Sequence, residues 1–152
     1  MGQGGLMLTI EDTSHDLPIN IYRWHVAFWH WQRRRHWLHR FARGRYKHVS
    51  ALGYSARCGC WVLYEPGTDG TRIRLVRHDK SFLATLEAHR RFADLLALTV
   101  NPAQRYDHMP WRPGQYCVPA IIRLLGVKSG AVTPTGLYRD LVRMGATPSF
   151  EE

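Results

Sequence analysis

Trp111-Arg112-Pro113-Gly114-Gln115-Tyr116-Cys117-Val118-Pro119-Ala120-Ile121-Ile122-Arg123-Leu124-Leu125-Gly126 is the stretch from which the rest of the chain can be read. Adjacent Pro113 and Gly114 mark its first part as loop. From Val118 onward it predicts a helix, with Pro119 tolerated in the first turn, where a missing N–H is no loss. Ile121, Ile122, Leu124 and Leu125 supply a buried face, and Gly126 is a natural stop. Cys117 therefore stands where loop becomes helix. Unpaired N–H groups and the positive end of the helix dipole favour a thiolate there, as a nucleophile requires.

Downstream, Thr133 is placed to cap a last helix that starts at Pro134, runs through Leu137, Leu141 and Val142, and stops at Gly145. Upstream, Asp79 or Ser81 can cap a helix expected from Phe82 to about Val100, its apolar face made by Phe82, Leu83, Leu86, Ala93, Leu96, Ala97 and Val100. Before it lie three expected strands. Arg45 to Tyr54 alternates His48, Ser50, Leu52 and Tyr54 with Val49, Ala51 and Gly53. Cys60 to Glu65 follows a short turn and ends at Pro66-Gly67; Asp69-Gly70 then turns the chain into Thr71 to Arg77. The fold class is α+β: a small antiparallel sheet at about residues 46–77 packed on C-terminal helices.

Ile21 to Phe41 is the least ordinary segment. Trp24, Phe28, Trp31 and Leu38 approximate a helical stripe, and Trp29 and Trp37 widen it. Arg33, Arg34 and Arg35 interrupt the stripe. Two readings stay open. The tryptophans pack on the domain and the arginines face water, or Trp29, Trp31, Arg33, Arg34, Arg35 and Trp37 form a surface for protein, nucleic acid or anionic lipid. The domain division expected is an aromatic, basic N-terminal extension over 1–44 and the α+β domain over 45–152.

The chain has 152 residues and a net charge of +9. No acidic residue occurs between Asp16 and Glu65, an interval that holds nine Arg and Lys residues, so the remainder is neutral on balance. Its three cysteines, Cys58, Cys60 and Cys117, do not suggest a disulfide framework. No apolar run approaches the ~20 residues of a membrane span, and the first residues lack the pattern of a signal peptide. No cofactor is expected. Cys58 and Cys60 could join His48 or Cys117 around zinc, but no second CxxC or HxxxH pair accompanies them, so the expected metal content is none.

A thiol nucleophile needs a base, and the base an orienting partner. The candidates fall in the order His48, Glu65, Cys117. His48 is near the start of one strand and Glu65 near the end of the next, where hairpin neighbours meet. Against this stand ordinary structural roles for a strand histidine, a turn glutamate and a small apolar cysteine.

The run Gln115 to Gly126, followed by Thr133-Pro134-Thr135-Gly136-Leu137-Tyr138, resembles circularly permuted papain-like proteins, the lecithin–retinol acyltransferase-like group and NlpC-related amidases among them. It looks especially close to short proteins of tailed bacteriophages. The resemblance covers roughly Tyr46 to Gly145 and implies a cysteine hydrolase or transferase acting on an amide, ester or thioester, with an amidase or peptidase acting on peptide or peptidoglycan as the leading expectation. In it, Cys117 is the nucleophile, His48 the base, Glu65 the orienting acid, and Gln115 with the Cys117 N–H the oxyanion site. Tyr116 stands where many relatives carry Asn or Asp. The alternative is a non-catalytic virion or tail-associated protein that uses the same fold as an assembly module, with protein partners and, through the basic arm, nucleic acid. The corresponding location is a virion or the bacterial cytoplasm.

Overall fold

The computed structural model describes residues 21–30, 44–67, 70–101 and 116–149. Its centre is a sheet of six antiparallel strands in the order β4-β3-β2-β1-β5-β6. In chain order these are β1 (Arg23–Trp29), β2 (His48–Ser55), β3 (Cys60–Gly67), β4 (Gly70–Arg77), β5 (Ala93–Thr99) and β6 (Thr147–Pro148). Among the described residues, three helices flank it: α1 (Lys80–Phe92), α2 (Cys117–Leu125) and α3 (Pro134–Arg143). The α+β class and the meander of β2, β3 and β4 agree with the sequence reading.

Two segments differ from it, for one physical reason. Residues expected in an N-terminal helix contain β1, a central strand paired with β2 on one side and β5 on the other. The second half of the helix expected from Phe82 to Val100 is β5. Both strands are covered on both faces, so their apolar residues form runs instead of alternating. Such runs satisfy a helical template as well as a strand. The sheet is therefore twice as wide as expected, and residues 23–29 belong to the same sheet as the rest.

Strand alternation divides the core in two. On one face Trp24, Val26, Phe28, Val49, Ala51, Val62, Leu96 and Leu98 meet Val118, Ile121, Ile122 and Leu125 of α2 and Leu137 and Leu141 of α3. On the other, Ala27, Leu52, Trp61, Leu63, Ala93 and Leu95 surround Phe82 of α1. Gly53 lets β2 approach its neighbour closely: a Cβ there would stand 2.5 Å from Ile21 Cγ2 and 2.9 Å from Trp24 Cε3.

The helix ends follow the expected chemistry. Gly126 takes φ 64°, its N–H reaches the Arg123 carbonyl, and Val127 N–H bonds Ile122 O. Thr133 Oγ1 accepts the Gly136 N–H at 3.1 Å, with Pro134 in the first turn. Asp79 Oδ1 accepts the Phe82 N–H at 3.2 Å and so caps α1.

Candidate active site

Cys117 is the first residue of α2, and Tyr116 is its N-cap in extended conformation with no side-chain capping bond. The tyrosine hydroxyl instead donates to Val132 O at 2.9 Å, tying the helix start to the segment before α3. The Cys117 sulfur lies against the apolar α2/α3 side of the sheet and receives the N–H groups of Val49, Val118 and Cys117 itself. β2 pairs with β3 only from Ala51 outward, opposite Tyr64, so the register leaves Val49 beyond the last paired position. The thiol sits where the two strands part.

This environment changes the expectation for the thiol. Burial is the largest influence on Cys117 and raises its pKa above the usual cysteine value; the three N–H groups pull the other way and are outweighed. Placement at a helix start favours the anion, but desolvation costs more than one helix end returns. The group is held as a neutral thiol.

His48 is buried, the first residue of β2, and pairs with Trp29 of β1. Its face follows from its neighbours. Val49 packs in the α2/α3 core, while the Ser50 hydroxyl accepts the Trp29 indole N–H at 2.9 Å. The Trp29 ring lies 4.7 Å from that of His89 on α1. Alternation thus turns His48, with Ser50 and Leu52, to the α1 face. Glu65 is exposed on β3, paired with Arg72, and on the same face as Leu63. Its charge acts on His89. His48 and Glu65 share a face with each other, and Cys117 approaches the sheet from the opposite one.

Gln115, Trp31, Arg33, Arg34, Arg35 and Trp37 lie outside the described residues. Trp29 lies within them as a half-buried sheet residue whose indole N–H donates to Ser50 Oγ. Among the described residues, no three His, Cys, Asp or Glu side chains are grouped to hold a metal ion.

Two polar clusters were not singled out in the sequence. His89 has a lowered pKa, chiefly through burial and also through Arg74, against the raising effects of the Thr85 carbonyl and Glu65. Its Nδ1 is 2.7 Å from Thr85 O. At the end of the sheet, Asp94 accepts from the Tyr46 hydroxyl and lies 3.1 Å from both His30 Nε2 and Arg45 Nη2. Burial would raise the Asp94 pKa, yet these partners together hold it below the usual carboxylate value. Desolvation and the same carboxylate push Tyr46 above the ordinary tyrosine range. The cluster joins the residue where the chain leaves β1, His30, to those just before β2, Arg45 and Tyr46. The end of β1 and the approach to β2 thus meet at Asp94. A lone Asp in an otherwise apolar strand, Ala93-Asp94-Leu95-Leu96, was the available signal.

No protein-family model, curated protein or solved structure matches this chain.

Proposed function

We propose that the chain is a non-catalytic interaction module that receives an extended acidic segment of a partner protein along β4, and that it serves in assembly of a bacteriophage particle. The observation that carries this reading is the edge strand itself. β4 has eight residues and, among the described residues, pairs only with β3; Ile73 and Leu75 are 62% and 64% exposed. A long edge with outward apolar side chains is a template for strand addition, a feature that proteins otherwise blunt with charges, bulges or cover. Arg72, Arg74 and Arg77 flank the apolar pair and favour an acidic segment over a basic one. The particle setting rests on the resemblance of the Cys117 and Thr133-Pro134 motifs to phage proteins.

Hydrolysis is the weaker reading for this site. It needs a thiolate, an imidazole and an acid together, and burial raises the pKa of this thiol, which disfavours the thiolate. No helix among the described residues is long and apolar enough to cross a membrane.

Fluorescence anisotropy with a labelled peptide of alternating Val and Glu tests the proposal. Binding is expected to weaken at least about tenfold, ~1.4 kcal/mol, in the Ile73→Glu/Leu75→Glu variant. Equal affinity for a Val/Lys peptide, or a dimer that buries β4 in sedimentation, would overturn it. Release of peptides from peptidoglycan by the native chain but not by Cys117→Ala would restore the hydrolase.

A further inference from the structure

The turn between β2 and β3 carries two thiols that the β4 reading does not use. The last pair of the hairpin is Ser55 with Cys60, and the chain reverses through residues 56–59. The buried Ser55 hydroxyl accepts the Cys58 N–H at 3.4 Å, which fixes the start of the turn. Gly59 follows at φ 61°, with no heavy atom within 4 Å of the place a Cβ would occupy. A left-handed residue between two others draws their Cα atoms toward the roughly 4.4–6.8 Å that a disulfide accepts.

Both side chains can be reached from solvent, Cys58 exposed and Cys60 partly so. The Cys60 pKa is raised, through local desolvation first and then through the neighbouring Cys58. Cys117 is half-buried and packs against the α2/α3 core, so one chain holds two unlike classes of thiol.

We propose that Cys58 and Cys60 form a dithiol site that reacts with low-molecular-weight disulfides and closes to an intrachain disulfide across Gly59. Cys58, the more exposed, loses its proton to solvent and attacks one sulfur of the small disulfide. A mixed disulfide forms on Cys58, the reagent's S–S bond breaks, and one small thiolate leaves and takes up a proton. Cys60 then gives its proton to solvent and attacks Cys58 Sγ. The ring closes, the bond to the reagent breaks, and the second small thiolate leaves and is protonated. Two protein thiols are oxidised, one small disulfide is reduced to two thiols, and the protons balance.

The test uses the reduced full chain with glutathione disulfide, acid quenching, intact mass and peptide mapping. The native chain is expected to lose two hydrogens in the peptide holding Cys58 and Cys60 and to retain no glutathione. Cys60→Ser is expected to keep one glutathione on Cys58 at least about tenfold longer, since it lacks the intramolecular second attack. Cys58→Ser is expected to react several-fold more slowly at Cys60. Stable glutathione adducts on the native chain without ring closure, a disulfide between two chains, or pairing with Cys117 would overturn the proposal. So would equal rates in the two single variants. The serine replacements lie in the turn at Cys58 and at the first residue of β3, and unchanged circular dichroism confirms that both variants are folded.

Discussion

The two faces of the sheet are built from different chemistry. The face under α2 and α3 is aliphatic and deep: Val26, Phe28, Val49, Val118, Ile121, Leu137 and Leu141 are wholly buried. The face under α1 is shallower and laced with polar groups. Phe82 is its one fully buried large helix residue, stacked on Trp61 at 4.3 Å. Around it, the Trp61 indole donates to His78 at 3.0 Å, Trp29 donates to Ser50, and His25 Nδ1 lies 3.0 Å from Ser149 Oγ. One face supplies cohesion through packed volume, and the other holds imidazoles and indoles in place through directional bonds. Their responses to truncation and to acid should therefore diverge.

The largest expected effect is on packing. Leu137→Ala should cost about 4 kcal/mol of global stability, because its cavity lies between α3 and the sheet where little can collapse. Phe82→Ala removes more volume, yet its loss should appear mainly as detachment of α1, since that helix rests on one buried ring. Hydrogen exchange separates the two. Leu137→Ala should lower protection in every strand, whereas Phe82→Ala should expose α1 amides and leave β1 and β5 protected. Uniform loss in both variants would erase the distinction between the faces.

A second, smaller effect depends on pH. Burial, with help from Arg23, lowers the pKa of His25 from 6.5 to about 4. The folded state therefore holds this imidazole neutral while the unfolded chain protonates it. Its stability contribution is fully present above pH 6.5 and is lost as pH falls toward 4. The loss should be about 1–2 kcal/mol after allowance for residual screening by solvent. His25→Asn should flatten that limb in denaturation curves taken from pH 7 to 4. A His25 resonance titrating near 6.5 in the folded protein would contradict the assignment.

How far the sequence could be read follows the same division. β2, β3 and β4 were legible because Pro66-Gly67 and Asp69-Gly70 punctuate them, and because β2 alternates small and polar residues. The ends of α2 and α3 were legible from Gly126, Thr133 and Pro134, whose backbone demands are local. β1 and β5 were not. Their sides are fixed by neighbours distant in the chain, and no glycine or proline marks the step from Phe92 of α1 to Ala93 of β5. At the candidate site, residue identity was legible but side was not. Cys117 was placed correctly at its helix start, yet the face it meets depends on where α2 crosses the sheet. Its raised pKa depends on burial, which a single sequence does not report.

The smallest expected effect concerns how the helices are tied to each face. Thr133 caps α3 through a neutral hydroxyl, and Asp79 caps α1 through a carboxylate. Replacing either by Ala should cost about 1 kcal/mol within its own helix. The readout should differ. α3 carries Leu137 and Leu141 into the deep core, so Thr133→Ala should lower the midpoint of global unfolding. α1 opens as a smaller unit, so Asp79→Ala should raise exchange in α1 with little change in the global midpoint. Equal shifts of the global midpoint in the two variants would mean that α1 is bound into the core as firmly as α3, and that the faces differ in composition alone.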